Sequence, residues 1–304
     1  MDFVKILGCG SALPTANSFP SAQVIKNNQK YFLIDCGEGT QLRIRESKIS
    51  FGKISHIFIS HLHGDHFFGL PGLLSSMHLL GRTDPIKLFG PKELMSILNL
   101  QFKHSGTYLK YKIEFTEVSG KEKTLIFEDQ SIEVYSFPLN HRIACHGYFF
   151  QEKRAQNHLL ARKMEQYQVP KHLKANIKRG DGYTTPEGKV IPHEELTTPS
   201  KDAKSYAYCS DNRIKPILAS LLEGVDYLYH ETTFKHSDVD KAKKTFHSTT
   251  IEAAQLAKSL SAKTLLIGHY SARYTKIEEL HQECESVFPN TVLGKTGLQF
   301  DFKK

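Results

Sequence analysis

The sequence predicts an α/β layered fold with both faces of its sheets covered. Short apolar strands repeatedly run into polar loops and then into stretches with helical apolar spacing, the signature of sheet layers packed under helices. At 304 residues with 39% hydrophobic content, the chain can bury one large core or two small ones. No self-similarity recurs at a fixed short period, so a solenoid or propeller is set aside.

The elements follow in order. Residues 4–7 and 22–26 are strands, and Asn27-Asn28-Gln29 turns the second of them into residues 31–34 as a hairpin. Residues 54–59 form an apolar strand that runs directly into His61-Leu-His-Gly-Asp-His66, and residues 69–80 follow with helical spacing. The strand at 86–89 is closed by Gly90-Pro91, which breaks it and opens a helix near Lys92. Strands are expected around 113–118, 125–127, 132–137 and 148–150. Residues 151–204 are polar, basic, poor in β-branched residues and punctuated by Pro and Gly, which reads as an inserted arm with a surface helix near 155–167. The core then resumes with a strand at 206–209, a helix at 214–222, a strand at 226–230, and a helix at 250–261 capped by Ser248 or Thr249. A strand at 264–268 and a helix at 276–287 complete it.

Forty Lys and Arg against 32 Asp and Glu give a net charge of +8, a weak pointer to a polyanionic partner. The five cysteines (Cys9, Cys36, Cys145, Cys209, Cys284) are odd in number and never spaced as C-x-x-C. That excludes a disulfide framework or thiolate zinc knuckle and suits a reduced, cytoplasmic setting. The first residues read as a strand rather than a secretory signal, and no apolar run reaches the roughly 20 residues of a membrane span, so no membrane partner is expected.

The densest chemical signal is at His61, His63, Asp65 and His66, directly after a strand. Alternate residues of an extended chain point the same way, so His61 and His63 can hold one ion, and the turn at Gly64 redirects Asp65 and His66 toward a second. Imidazole and carboxylate donors without thiolates suit Zn²⁺ or Mn²⁺ at a catalytic site. Two ions sharing one bridging carboxylate need about seven protein ligands, so three more should come from strand ends elsewhere. His141, Asp211 and His269 stand at such positions. Each alone would more often be a hydrogen-bonding turn residue; together with the motif upstream they complete the count.

With these residues in view, the chain resembles the metallo-β-lactamase superfamily and, within it, the ribonuclease Z family, endonucleases that trim the 3′ trailer of precursor tRNA. The resemblance runs from Met1 to about Phe302. It rests on Asp35-Cys-Gly-Glu-Gly-Thr-Gln41, Ser60-His-Leu-His-Gly-Asp-His66, Gly69-Leu-Pro-Gly-Leu73, Leu88-Phe-Gly-Pro91, Asn140-His141, Ser210-Asp211, His230-Glu-Thr232, His247-Ser-Thr249 and Gly268-His-Tyr-Ser-Ala-Arg-Tyr274. It implies a four-layer αββα sandwich, a single catalytic domain over 1–304 with a tRNA-binding arm inserted at 151–204, and two Zn²⁺ per subunit with Mn²⁺ as the alternative. By position, His61, His63 and His141 would hold one ion, Asp65, His66 and His269 the other, and Asp211 would bridge. Asp65 is then the general base, and His247, oriented by Glu231, the proton donor to the ribose 3′-oxygen. The products would be a tRNA 3′-hydroxyl and a trailer with a 5′-phosphate. Without the resemblance, His247 reads as a helix-entry residue and Glu231 as a strand-end carboxylate. A homodimer is likewise a family expectation.

Residues 153–179 carry eight basic side chains (Lys153, Arg154, Arg162, Lys163, Lys171, Lys174, Lys178, Arg179) and one acid, Glu165. Nearly all the chain's net charge is therefore in this window, as suits sequence-independent contact with tRNA phosphates. Arg273 and Lys295 are further candidate phosphate contacts. Two loops depart from the family pattern: the first-glycine-turn loop is Pro14-Thr-Ala-Asn-Ser-Phe19 without its usual basic residues, and Pro170-Lys171 replaces a Gly-Pro pair in the arm. Cleavage position and arm docking are the properties these departures touch. Two other readings are a dinuclear phosphodiesterase or hydrolase for small nucleotides or esters, which would need no basic arm, and a non-catalytic RNA-binding scaffold, which would need no complete ligand set.

Overall fold

Alternation along the first strands sets the layering. Val4 and Ile6 of strand Phe3–Gly8 join one buried cluster while Leu7 joins another, and Phe32 and Ile34 part from Leu33 in the same way. Both faces of this sheet are therefore apolar and both are covered. The computed structural model describes residues 1–15 and 18–302, in which two seven-stranded sheets pack face to face. The first orders Gln299–Asp301, Phe3–Gly8, Ala22–Asn27, Lys30–Ile34, Ile54–Phe58, Ile86–Gly90 and Ile113–Glu117. The second orders Thr291–Leu293, Thr264–Gly268, Tyr227–Glu231, Ser205–Cys209, Cys145–Glu152, Ile132–Leu139 and Thr124–Glu128.

Each sheet is antiparallel over one half and parallel over the other. In the first, pairings are antiparallel from Gln299–Asp301 to Lys30–Ile34 and parallel from there to Ile113–Glu117. In the second, the strands from Ser205–Cys209 to Thr291–Leu293 are parallel and the rest antiparallel. Between the sheets lie Phe32, Phe58, Tyr148, Phe150, Tyr206 and Tyr208, all buried. Helices Leu70–Leu79 and Leu94–His104 cover the first sheet's outer face through Leu73, Leu74, Met77 and Leu98. Ile217–Leu222, Thr250–Ser259 and Glu278–Glu285 pack on the second sheet through Leu218, Ala257 and Leu280. The order is helix, sheet, sheet, helix, as expected for the four-layer sandwich. The parallel strands deliver their carboxyl ends to one edge, where crossover loops leave side chains free for chemistry.

Several elements differ from the expectation. The helix expected from 214 begins at Ile217, because Pro216 restricts Lys215 before it and serves as the N-cap. The helix expected over 276–287 is Glu278–Glu285. Thr249, rather than Ser248, caps the helix beginning at Thr250, in a reciprocal capping box with Glu252. Helices Thr40–Glu46 and Val239–Thr245 and edge strands Thr291–Leu293 and Gln299–Asp301 were not anticipated, each being too short to show a period.

Residues 158–198 build a small core of their own from Met164, Val169, Ile177, Tyr183, Ile191 and Leu196. The surface helix expected near 155–167 is only Ala161–Gln166, preceded by a strand, His158–Leu159, paired with Thr197–Thr198. Asn157 explains the shortening. Its amide nitrogen lies 2.6 Å from His193 Nε2 and its amide oxygen accepts the Ser200 N–H at 3.1 Å, tying the two legs of the segment together and holding the backbone extended. Among the described residues, no helix is long and apolar enough to cross a membrane.

Candidate metal centre

Seven side chains converge at the edge where the parallel strands end. Strand Ile54–Phe58 leads to His61 and His63, and a single helical turn, Gly64–Phe67, swings Asp65 and His66 to the neighbouring position. His141 follows Ile132–Leu139, Asp211 follows Ser205–Cys209, and His269 follows Thr264–Gly268. Two donor sets result: His61, His63, His141 and Asp211 in one, and Asp65, His66, Asp211 and His269 in the other, each with ligand atoms within 4.8 Å of one another.

The two Asp211 oxygens divide between the sets. Oδ2 lies 3.6 Å from His61 Nε2 and 3.8 Å from His141 Nε2, whereas Oδ1 lies 3.3 Å from His66 Nε2 and 3.1 Å from His269 Nε2. Asp65 Oδ2 closes the second set at 3.5 Å from His66 Nε2 and 3.4 Å from His269 Nε2. His63 Nδ1 closes the first, 3.1 Å from both His61 Nε2 and His141 Nε2. Ligands of a tetrahedral ion with bonds of 2.0–2.1 Å stand ~3.3 Å apart, and these spacings bracket that value. His66 Nε2 and Asp211 Oδ1 are buried without a hydrogen-bond partner, a costly state for polar atoms unless a cation satisfies them. The donor set therefore fits two divalent ions, and nitrogen and carboxylate donors favour a transition metal over Mg²⁺ or Ca²⁺.

A second ring of contacts fixes which imidazole nitrogen faces the centre. His66 Nδ1 pairs with Asp35 Oδ2 at 2.7 Å, His141 Nδ1 donates to the Phe246 carbonyl at 3.1 Å, and His269 Nδ1 lies 2.9 Å from Thr233 Oγ1. Each arrangement turns Nε2 inward. Asp35 also accepts from Ser60 N at 2.7 Å, Ser60 Oγ at 2.9 Å and the Tyr208 hydroxyl at 2.7 Å. Asp35, Phe246 and His269 all hold positive φ (55°, 59° and 59°), so backbone strain is concentrated around the ligands. The structural roles of Asp35, Ser60, Tyr208, Thr233 and Phe246 went unassigned in the sequence. The one signal was Asp35, an acid at the end of an apolar strand.

Glu231 is fully buried. Its Oε1 accepts from Asn212 N at 2.9 Å and Ser248 N at 3.0 Å and lies 2.9 Å from His247 Nδ1, while Oε2 accepts from Thr233 N at 3.1 Å. Burial disfavours a charged His247, but the Glu231 carboxylate and Asp211 outweigh it and lift the imidazole to about 9. Burial likewise raises Glu231, and the charge of His247 more than reverses this. Burial depresses His61 well below the ordinary histidine range, whereas His66, also penalised by burial, is driven well above it by Asp211, Asp65 and Asp35. Burial would raise Asp65, yet His66 and His269 hold it far below the carboxylate range. A cleft of about 520 Å³ opens on this centre, lined by His63, Asp65, His141, Asp211 and His247.

Among the described residues, none of the eight basic side chains of residues 153–179 lines the cleft. Arg154, Arg162, Lys171, Lys178 and Arg179 are exposed and Lys174 is half-buried. Lys153 pairs with Glu128 at 2.7 Å and Lys163 with Glu195 at 3.4 Å. Arg273 lies over the Phe234 ring at 4.9 Å, and Lys295 pairs with Glu278 at 2.9 Å. Of the Pro14 to Phe19 loop, Ala16 and Asn17 lie outside the described residues, while Pro14 lines the cleft.

The family model described as Anti-Pycsar protein Apyc1 matches residues 3–155. A protein of Parabacteroides distasonis named Ribonuclease Z is 46% identical over 296 residues, covering 97% of each chain. One from Bacteroides fragilis with the same name is 45% identical over 295 residues, again covering 97% of each. Among solved structures, human tRNase Z, short form, aligns with a TM-score of 0.71 at 27% identity, covering 99% of this chain and 98% of that one. A metallo-β-lactamase fold protein from Bacillus subtilis aligns at 0.70 with 16% identity, covering 99% of each, a likeness of fold.

Proposed function

This chain belongs to the ribonuclease Z family of metal-dependent endoribonucleases in the metallo-β-lactamase superfamily, and from that premise we propose that it removes the 3′ trailer of precursor tRNA with two Zn²⁺ per subunit. The observation that carries the reading is the pair of donor sets sharing the two oxygens of Asp211, with the His247–Glu231 pair at the same cleft. His61, His63, His141 and Asp211 would hold one ion and Asp65, His66, His269 and Asp211 the other, with Mn²⁺ the alternative metal. When bound, such ions make water acidic near neutral pH and stabilise charge on a phosphoryl group under in-line attack.

The chain's own groups do the rest. Asp65 is fixed by the Ala12 N–H, which donates to its Oδ2 at 2.9 Å, and it accepts the proton of the attacking water. Glu231 holds His247 by Nδ1, leaving Nε2 to protonate the departing ribose 3′-oxygen. The products are then a tRNA ending in a 3′-hydroxyl and a trailer beginning with a 5′-phosphate. Residues 151–204 serve as an arm inserted into one catalytic domain. Lys153, Arg154, Arg162, Lys163, Lys171, Lys174, Lys178 and Arg179, with Arg273 nearer the body, meet tRNA phosphates. Exposed Leu79, Leu80, Leu100 and Tyr108 support a homodimer in which a second copy covers them. Five free, buried cysteines support work in the reducing cytoplasm.

The test is incubation of the purified protein with a 3′-extended tRNA transcript, with and without chelator, and mapping of the new ends. One metal-dependent cut that separates the trailer from the tRNA body is expected. Hydrolysis of small phosphodiesters with no cut in any precursor would overturn the tRNA assignment.

A further inference from the structure

The cleft has two unlike walls. Arg142, Thr245 and His247 come from segments that follow strands of the second sheet, whereas Leu13, Gly64 and Phe68 come from segments that follow strands of the first. The first-sheet wall is open and carries two exposed apolar side chains, Phe68 at 66% and Leu13 at 67%, with Ser11 and the exposed carboxylate of Glu38 on the same side. Most of the Phe68 side chain is thus left uncovered at the mouth of the cleft. Its position is nonetheless fixed. A Cβ on Gly64 would lie 2.2 Å from Phe68 Cε2, so the ring rests against the glycine between His63 and Asp65, and its edge packs on buried Phe67 with centroids 5.1 Å apart. Leu13 follows Ala12, whose positive φ of 60° and N–H bond to Asp65 tie that loop to the same centre.

We propose that Phe68, with Leu13 on the same wall, is the platform on which the first nucleobase of the trailer stacks, a positioning surface that holds the strand for cutting whatever its sequence. The inference rests on the tRNA-trimming reading. With His247 donating to the leaving ribose oxygen, the second wall takes the tRNA's last nucleotide, and the remaining wall faces the nucleotide that keeps the phosphate. Trailers differ in sequence, so recognition there must tolerate every base, and an aromatic face does so because each base has a π-surface. Hydrogen-bonding side chains would instead discriminate among bases. The Phe68 face offers stacking without a polar preference.

The experiment varies the substrate and the protein together. Wild-type protein loaded with zinc is given a precursor tRNA whose first trailer nucleotide is either normal or abasic. Stacking is worth about 5- to 150-fold, so kcat/KM is expected to fall by a factor in that range on the abasic precursor. Phe68→Ala should show a similar fall on the normal precursor and less than about twofold further loss on the abasic one, and Phe68→Trp should restore the difference. Phe68→Leu, which keeps an apolar contact on Gly64 without a π-face, should behave like Phe68→Ala and serves if the alanine variant folds poorly. Equal cutting of both precursors by wild type would overturn the platform while leaving tRNA trimming intact. An undiminished abasic penalty in Phe68→Leu would also overturn it. So would loss of activity in step with loss of a dimer, which would make the ring a subunit contact. Failure of wild type to cut either precursor would count against the trimming reading itself.

Discussion

Replacing Asp35 by Asn removes one charge and changes little else in shape, yet it strikes the centre from behind. Asp35 Oδ2 receives the His66 imidazole at 2.7 Å, the Tyr208 hydroxyl at 2.7 Å and the Ser60 hydroxyl at 2.9 Å, while Oδ1 receives the Ser60 N–H at 2.7 Å. An asparagine must present an NH₂ group to one of these oxygen positions, where it meets donors rather than acceptors. If the amide nitrogen takes the Oδ2 place, the imidazole and the Tyr208 hydroxyl lose this acceptor, and the Ser60 hydroxyl must turn to Ser210 Oγ, 3.0 Å away. If it takes the Oδ1 place, the backbone N–H of Ser60 is opposed. Hydrogen bonds to a charged group contribute about 1.5–3 kcal/mol each. Loss of a carboxylate that orients a metal-ligating histidine costs roughly 10- to 100-fold in metal affinity. On the proposed ligand set the weakened ion is the one that His66 would hold, so the variant is expected to retain about one ion per chain at chelator concentrations where wild type retains two. Equilibrium dialysis against graded chelator, read by elemental analysis, measures this. Retention of two ions with unchanged affinities would refute the assignment of Asp35 as the support of the second site.

Other outcomes follow from the same geometry. Glu231→Gln should drop the His247 pKa, about 9 in the metal-free protein, toward or below the ordinary 6.5, as read by NMR titration of the chelated protein. The sign is that of a raised histidine: the stabilisation from the pair is complete below about pH 6.5 and is lost as pH rises through about 9, so chelated wild type should lose more stability over that window than Glu231→Gln, in which only the raised His66 still contributes. His247→Ala should slow trailer removal by roughly 10²- to 10⁴-fold, and a full rate would remove it from the mechanism. Changing Arg162, Lys171, Lys178 and Arg179 together to Gln should flatten the salt dependence of tRNA binding by about one unit of slope for each phosphate no longer neutralised, and an unchanged slope would leave the arm without an electrostatic role. Thr249→Ala, which breaks the capping box with Glu252, should cost about 1 kcal/mol in thermal unfolding.

The layered fold was readable because strand-then-helix alternation survives in the sequence, and the candidate ligands were readable because they fall at or shortly after strand ends, where the structure gathers them into two groups able to hold an ion. His61 to His66 is dense enough to announce itself, and a count of about seven ligands for two ions points to His141, Asp211 and His269 at strand ends elsewhere. What could not be read depends on tertiary meeting. Thr233 matters because its hydroxyl lies between His269 and Glu231, and Phe246 because its carbonyl, at a left-handed helix end, meets His141. No local pattern carries either fact. The shortened helix in the inserted segment is similar: Asn157 is an unremarkable residue until His193 and Ser200, about 40 positions onward, come to bind it. Phe68 is a further case, since it lies just before the stretch of helical spacing at 69–80 and only the folded chain leaves it open to the cleft.

The most direct test of the account couples metal content to cutting. Zinc is returned stepwise to chelated protein, and single-turnover cleavage of a 3′-extended tRNA is followed alongside the number of ions bound per chain. Two sites joined through Asp211 predict negligible cutting until more than one ion is bound, full rate at two, and an end carrying a 3′-hydroxyl. Full-rate cleavage by the metal-free protein, or saturation of the rate at a single ion, would contradict it.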